Sequence, residues 1–600
     1  MKIKVRSRLD GSCLVIGKSV IAAVLMATSV CSALALVKRK GQEGETKSEM
    51  AAATFPSLVR EYIDDLHSRH PSLALSSGVH AWDDKLEDFS PLAIAEEVAA
   101  IRHFQSKIAK IPRLELGLSD LFDYQIISSN VSSRLLELEQ IKAFERNPAM
   151  YTEVLSTALL PLVIFEYAPA EVRLKHLISK EKQIPRFLED ARANVHRPDA
   201  TLLRVAIENN RGMLSFIQKE LPTAFKSVAN PALKKDFSKS TRVASEAIEK
   251  HIKLLEQIKP DPTPSFAIGL HNYEARLRYE EGIDMPVSAL LKIADRELAK
   301  TQTEFRHTAA LIDPNKSAAT VWAEVQKEHP SPGTLVREAR NRLERLLQFI
   351  QDKHIVGLPR DVHVEVSQSP DFMRWSTASM WTPGPFETRP LPSRYMITDV
   401  DPSWTDKQKQ EYLASVNDAQ LWTTSIHEAY PGHFVQGEYL NRVESVVRRT
   451  VAFLPGSFVE GWAHYTEQMM LDEGFGDGDP KLRLGQLADA LLRLCRFECG
   501  IRLHTAGMTV QQATRFFIDN GYMGETPAKI EASRGTFDPL YLVYSVGKLA
   551  ILKMRSDYQH YQGDNFSLED FHNRLLSNGY APLWIQRQML MPGDKGKLLE

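Results

Sequence analysis

The sequence predicts a mainly helical fold with one small antiparallel sheet. Three observations lead there. From Phe55 to about Leu270, apolar residues recur at three- and four-residue spacing and glycine is scarce. A second stretch of the same texture runs from Pro286 to about Lys353. Between 360 and 400 the texture switches. There Val362-His363-Val364-Glu365-Val366 alternates, Arg394-Tyr395-Met396-Ile397-Thr398 is rich in strand formers, and Pro383, Pro385, Pro390 and Pro392 lie between.

The elements follow in order. Lys2, Lys4, Arg6, Arg8 and Lys18 precede an apolar run from Val20 to Val37, and Ala33-Leu34-Ala35 gives a small-x-small cleavage site, the pattern of a secretory signal over residues 1–36. The competing reading is an uncleaved anchor, with 20–37 as membrane tether and Lys38-Arg39-Lys40 as its stop. Val30 is too large for the residue that precedes a lipid-modified cysteine, which argues against Cys31 as a lipoprotein site. Either reading exports the body, to the periplasm or the exterior. Residues 37–50 form a polar tether, 51–280 a helical lobe and 281–600 a second region. In the first lobe Pro112, Pro161, Pro185 and Pro222 mark helix ends, and the short run Leu159–Phe165 belongs to the core. Thr405 with Gln408 makes a capping box that starts the helical C-terminal region.

With 600 residues, 43% of them apolar, there is ample material for a core. Net charge is −2 and no basic run exceeds Lys38-Arg39-Lys40, so nucleic acid is excluded as a partner. Past the leader only Cys495 and Cys499 remain, read as free buried thiols, so a metal would need histidine and carboxylate ligands. No feature sets an oligomeric state.

Such ligands occur in Ser425-Ile426-His427-Glu428-Ala429-Tyr430-Pro431-Gly432-His433. The zincin pattern places two histidines four apart on one helix face, with the intervening glutamate as general base. Here position 431 is proline and the second histidine comes at 433. Six residues of regular helix turn through about 600°, leaving His433 about 120° off the face of His427. Pro431 cannot donate a helical hydrogen bond and Gly432 tolerates unusual dihedrals, so a break there would return His433 to a shared ion. Glu460, 27 residues on, is the candidate third ligand. The competing reading makes Glu460 part of a capping box with Ser457. His464 and Glu467 lie near the same face, as supports for the ligands or as substitutes for Glu460. Gly461 would admit a neighbouring helix closely, and Trp462 would fill a core.

The strings HEAYPGH (427–433) and EGWAHYTE (460–467), with YMITDVDPSWTD (395–406) and DPLYLVYSVGKLAI (538–551), resemble the bacterial domain of unknown function 885 family. The resemblance runs from about Leu270 to the C-terminus; earlier residues are similar only in texture. It implies a large multi-helical zincin-like fold with the sheet near the active site, and His, His and Glu as zinc ligands. It supplies no substrate. On this reading Glu428 activates water for hydrolysis of a peptide substrate, with Zn²⁺ as cofactor. His504, Arg534, Tyr541 and Tyr544 are the candidates for stabilising the oxyanion, Arg534 and Tyr544 ahead of the others. Arg534 is placed in a loop, where it could hold a substrate carboxylate, and the two tyrosines on one helix face. Three alternatives stay open: a zinc hydrolase of a non-peptide amide or ester, a catalytically silent envelope binding protein, and a purely structural helical protein in which Pro431-Gly432 is only a turn.

Overall fold

Phe55, Leu58, Val59, Tyr62, Ile63 and Leu66 repeat at the spacing of one helix face, and all six are buried in a helix over 54–69. They belong to a computed structural model that describes residues 54–260, 266–358, 364–369 and 377–599. The signal segment, the tether, Val362 and His363 lie outside the described residues.

Among the described residues the regular elements are helices, apart from three short strands. The helices used below are α1 (Ala170–Asn194), α2 (Pro231–Leu255), α3 (Val287–Ile312), α4 (Leu335–Asp352), α5 (Asp418–Glu428), α6 (His433–Leu440), α7 (Gly456–Asp472), α8 (Pro480–Thr505), α9 (Glu525–Arg534) and α10 (Val543–Gln562). α1 packs along α2 in the N-terminal half. In the C-terminal half α7 packs along α10, and α8 along α3 and α5. The run from Leu159 to Phe165 is buried, as expected of core. Pro185 departs from expectation, lying inside α1 instead of ending it. A proline inside a helix costs about 3 kcal/mol. Burial of Ile184, Phe187 and Leu188 around it, each worth about 1.5–3 kcal/mol, outweighs that.

The strands β1 (Val364–Gln368), β2 (Ala378–Trp381) and β3 (Ser393–Ile397) form a sheet in the order β1-β3-β2. Only β2 and β3 are antiparallel; β1 runs parallel to β3, pairing Val366 with Tyr395. The sheet is therefore mixed, because β2 turns back in sequence before β3 returns between the other two. β3 is the central strand, with Tyr395, Met396 and Ile397 buried. β2 packs against α5 and α6. Thr405 and Gln408 form the predicted capping box, with both hydrogen bonds present.

The cores interlock. A core cluster drawn otherwise from residues 75–252 includes Met396 of the sheet, and the core under the first helix includes Val447, Phe453, Ala581 and Ile585. The 77–80 turn also meets the 384–387 segment. Phe386 N donates to Ser77 O at 3.0 Å, and a Cβ on Gly384 would stand 2.2 Å from Gly78 N. His80 stacks on Tyr167 at 3.9 Å and bonds Asp83 (3.0 Å) and Glu387 (3.2 Å). Burial opposes its charge, but the two carboxylates overcome that and raise its pKa to about 9. A histidine raised in this way contributes stability fully below its unfolded value, near 6.5, and loses the contribution as pH rises through about 9. His80→Gln is thus expected to lower the urea midpoint at pH 6 and to leave it nearly unchanged at pH 10. Equal losses at both pH values would contradict the charge assignment.

Candidate metal centre

α5 starts on Asn417, whose side chain accepts from Gln420 N at 3.1 Å, and ends at Glu428. Ala429 then leaves helical geometry (φ −111°, ψ −82°) and the Tyr430–Pro431 peptide is cis. Gly432 N donates to Ile426 O at 3.0 Å, and α6 begins at His433 itself. The expected break is present. Gly432 is required there: a Cβ would stand 1.7 Å from His427 O and 2.5 Å from Ile426 O. The turn is pinned to α7 by Trp462, whose Nε1 donates to Pro431 O (3.0 Å) and Gly432 O (3.3 Å).

The break turns two imidazoles six positions apart toward one point. The rings of His427 and His433 lie 4.8 Å apart at 87°. Each Nε2 is 3.5 Å from the same atom, Glu460 Oε2. The three ligand atoms lie within 4.8 Å of one another. Nitrogen and oxygen ligands of a tetrahedral zinc, each about 2.0–2.1 Å from the ion, stand about 3.3 Å apart, so the donors suit that metal in kind and the two nitrogen–oxygen separations of 3.5 Å are close to its spacing.

Glu460 is not a cap. The N-cap position of α7 is Pro455, and Ser457 lies inside the helix. The first N–H groups are held by Glu281, at 3.0 Å from Gly456 N and 2.8 Å from Ser457 N. That leaves the Glu460 carboxylate free to face the histidines. Gly461 meets Gly547, and a Cβ on either would collide with the other helix, so α7 and α10 cross with their backbones nearly touching. Trp462 is fully buried.

A second layer fixes the first. His427 Nδ1 donates to Glu467 Oε1 at 2.7 Å, which leaves the Nε2 lone pair for an ion. Glu467 Oε2 meets His464 Nδ1 at 3.0 Å, and Arg493 pairs with Oε1 at 3.2 Å. Burial opposes the charge on Glu467, yet Arg493 and the histidines hold its carboxyl well below the usual range. Glu460 is likewise depressed against burial by His433 and His427. In the absence of an ion, His427 itself is raised to about 9 against burial by Glu460 and Glu467. Glu467→Gln keeps the volume and removes the charge, and is expected to weaken zinc affinity by about 10–100-fold. Competition with a fluorescent chelator measures this; unchanged affinity would remove Glu467 from the account.

The chain matches the family "Bacterial protein of unknown function (DUF885)" over residues 71–590. It belongs to this family. The match reaches back to Pro71, well beyond the stretches that carry the sequence resemblance. A solved structure from Shewanella oneidensis, described as "a putative lipoprotein of unknown function", is 27% identical with a TM-score of 0.74 and covers 90% of this chain and 99% of its own. Another from Colwellia psychrerythraea, described as "the putative lipoprotein", is 17% identical with a TM-score of 0.75 and covers 90% and 98%; it shares the fold. No curated protein matches.

In this DUF885 chain the outer residues divide. Tyr544 lies in α10 with its ring 6.4 Å from that of His427, and its hydroxyl accepts from Arg534 Nη2 at 3.3 Å. Arg493, Arg496 and Arg534 surround the Tyr544 ring at 5.8, 5.0 and 5.9 Å. Arg534 is the last residue of α9 instead of sitting in a loop, with Gly535 as the C-cap. Its Nε and Nη2 are engaged by Asp538 Oδ2 at 3.0 and 2.9 Å, so it orients Tyr544. Tyr541 precedes α10 and does not share a helix face with Tyr544. It is buried with its ring against Gly500 and Gly535. His504 donates from Nε2 to Gly535 O at 2.7 Å and accepts from Ile268 N at 3.4 Å. Both its nitrogens thus serve the backbone, and burial lowers its pKa to about 4. Those contacts make His504 and Tyr541 packing groups. Cys495 and Cys499 are free and buried.

The sequence reading missed Glu281 and Arg493. Glu281 had no local signal, since it caps a helix 175 residues away. Arg493 had one, a cation amid Ala488-Asp489-Ala490-Leu491-Leu492 and Leu494-Cys495 on a helix whose apolar residues are buried all round.

Proposed function

We propose that this protein is a zinc-dependent hydrolase of peptide bonds, acting on short peptides in a zincin-like manner. The observation that carries the reading is the convergence of His427, His433 and Glu460 within 4.8 Å, with Glu467 presenting the correct face of His427. Zinc bound there would polarise a substrate carbonyl and acidify a water molecule.

The chain's own groups supply the rest. Glu428 follows His427 at the end of α5 and is half-buried, and no hydrogen bond or ion pair holds its carboxylate among the described residues. It takes the proton from water and returns it to the leaving amine. Tyr544 accepts from Arg534 and keeps its own O–H to donate to the carbonyl oxygen as charge develops there. β2 is an edge strand beside α6, where Gly437 approaches Thr382, and an extended peptide would add to it as a further strand.

The family is described as one of unknown function, so the substrate rests on the site alone. Digestion of a peptide library by the zinc-loaded protein, with a chelator control, tests the reading. Chelator-sensitive cleavage supports it. Zinc binding with hydrolysis only of non-peptide amides or esters would reassign the substrate, and zinc binding with no hydrolysis would make this a silent binding protein.

Export is part of the proposal. The basic and apolar N-terminus supports it, as do two structural neighbours described as "putative" lipoproteins. Among the described residues no helix is long and apolar enough to cross a membrane. Mass spectrometry of the mature N-terminus distinguishes cleavage, lipid attachment at Cys31 and an intact tether.

A further inference from the structure

A cavity of about 550 Å³ opens between α3, α7, α8 and α10. His464, whose Nδ1 bonds Glu467, forms part of its wall. Lys548 of α10 also lines it. This lysine is only 8% exposed, and its ammonium has no hydrogen bond or ion pair among the described residues. A buried ammonium is ordinarily paired, because desolvating it without an acceptor is costly. Burial lowers its pKa to about 8 even though Glu467 and Asp472 act to raise it.

Two further polar groups on the neighbouring wall also lack a partner. Ser545 sits one turn before Lys548 on the same helix face, and its buried hydroxyl has no partner. Gln486 of α8 accepts at its amide oxygen from Arg483 at 3.1 Å, which leaves its buried amide nitrogen without an acceptor. The wall's carboxylates are mostly committed: Asp472 to Arg483 at 2.6 Å and Glu297 to Arg296 at 3.0 Å. Glu304 acts on Lys548 electrostatically but forms no ion pair with it.

We propose that this cavity binds a small oxyanion, a carboxylate or phosphate group, on the ammonium of Lys548, with the hydroxyl of Ser545 and the amide of Gln486 turning toward it. Three donors on adjoining walls lack an acceptor, and one anionic group with several oxygens satisfies them together. The site is separate from His427, His433 and Glu460, and the inference does not depend on zinc or hydrolysis. It does reach the metal centre, because Lys548 acts on Glu467 and His464 bonds it. Occupancy would therefore be felt at His427.

The test is calorimetric titration of the purified full chain, as isolated and after chelation, with sodium phosphate and in a second arm with sodium acetate at constant ionic strength. The arm that binds identifies the anion. Lys548→Met is expected to weaken binding by about tenfold or more, and Lys548→Arg to retain it. Should Lys548→Met fail to fold by circular dichroism, Ser545→Ala takes its place, with a loss of a few fold expected. Binding by chelated wild type that the variant loses supports the proposal. No heat with either anion, or equal affinity in the variant, overturns it.

Discussion

Gly432→Ala is expected to empty the ion site and destabilise the protein in one step. The added Cβ would stand 1.7 Å from His427 O and 2.4 Å from His427 C, atoms of the backbone that carries the first ligand. Backbone cannot rotate away as a flexible side chain can. Either the α5–α6 turn opens, separating the rings now 4.8 Å apart, or Pro431 and Gly432 shift off Trp462 and lose its hydrogen bonds. The cost falls at or beyond the upper end of the overpacking range, about 3 kcal/mol or more. Urea unfolding and zinc analysis of one preparation check both halves. An alanine variant with wild-type midpoint and a full equivalent of zinc would contradict the part given to this glycine.

Glu428→Gln is expected to separate chemistry from binding. Glutamine keeps the shape and cannot take a proton, so turnover of any substrate should fall by about 10²–10⁴-fold. Zinc content and thermal midpoint should stay at wild-type values, because Glu428 is not among the three converging ligands. A variant that loses its zinc would make Glu428 a structural or ligating group. A variant that hydrolyses at the wild-type rate would move the general base elsewhere.

Much of this was legible because the relevant signals are local. The period of Phe55 to Leu66, the capping box of Thr405 and the Pro-Gly break each act within a few residues, and each formed as read. What the sequence hid depends on distant partners. Glu460 sits in a capping-box pattern with Ser457, and only Glu281 arriving from another segment shows that the helix is capped otherwise. The pairing of β1 with β3 rests on a crossover that alternation cannot signal, so an all-antiparallel sheet was the natural but incorrect reading. Pro185 has the local mark of a helix end, which burial of its neighbours overrides. Tyr541 and His504 have the chemistry of catalytic groups, and only their contacts with Gly500, Gly535 and Ile268 show them as packing. The family's description adds no chemistry, so residue geometry is what ties the histidines to a function.

The central claim is that the break at Pro431-Gly432 makes one ion site from three separated residues. The most direct measurement is an anomalous difference map at the zinc edge from crystals of the purified protein. The account predicts a single strong peak about 2.0–2.2 Å from His427 Nε2, His433 Nε2 and a Glu460 carboxylate oxygen. Zinc bound elsewhere, with those three side chains in place and no peak between them, would contradict it.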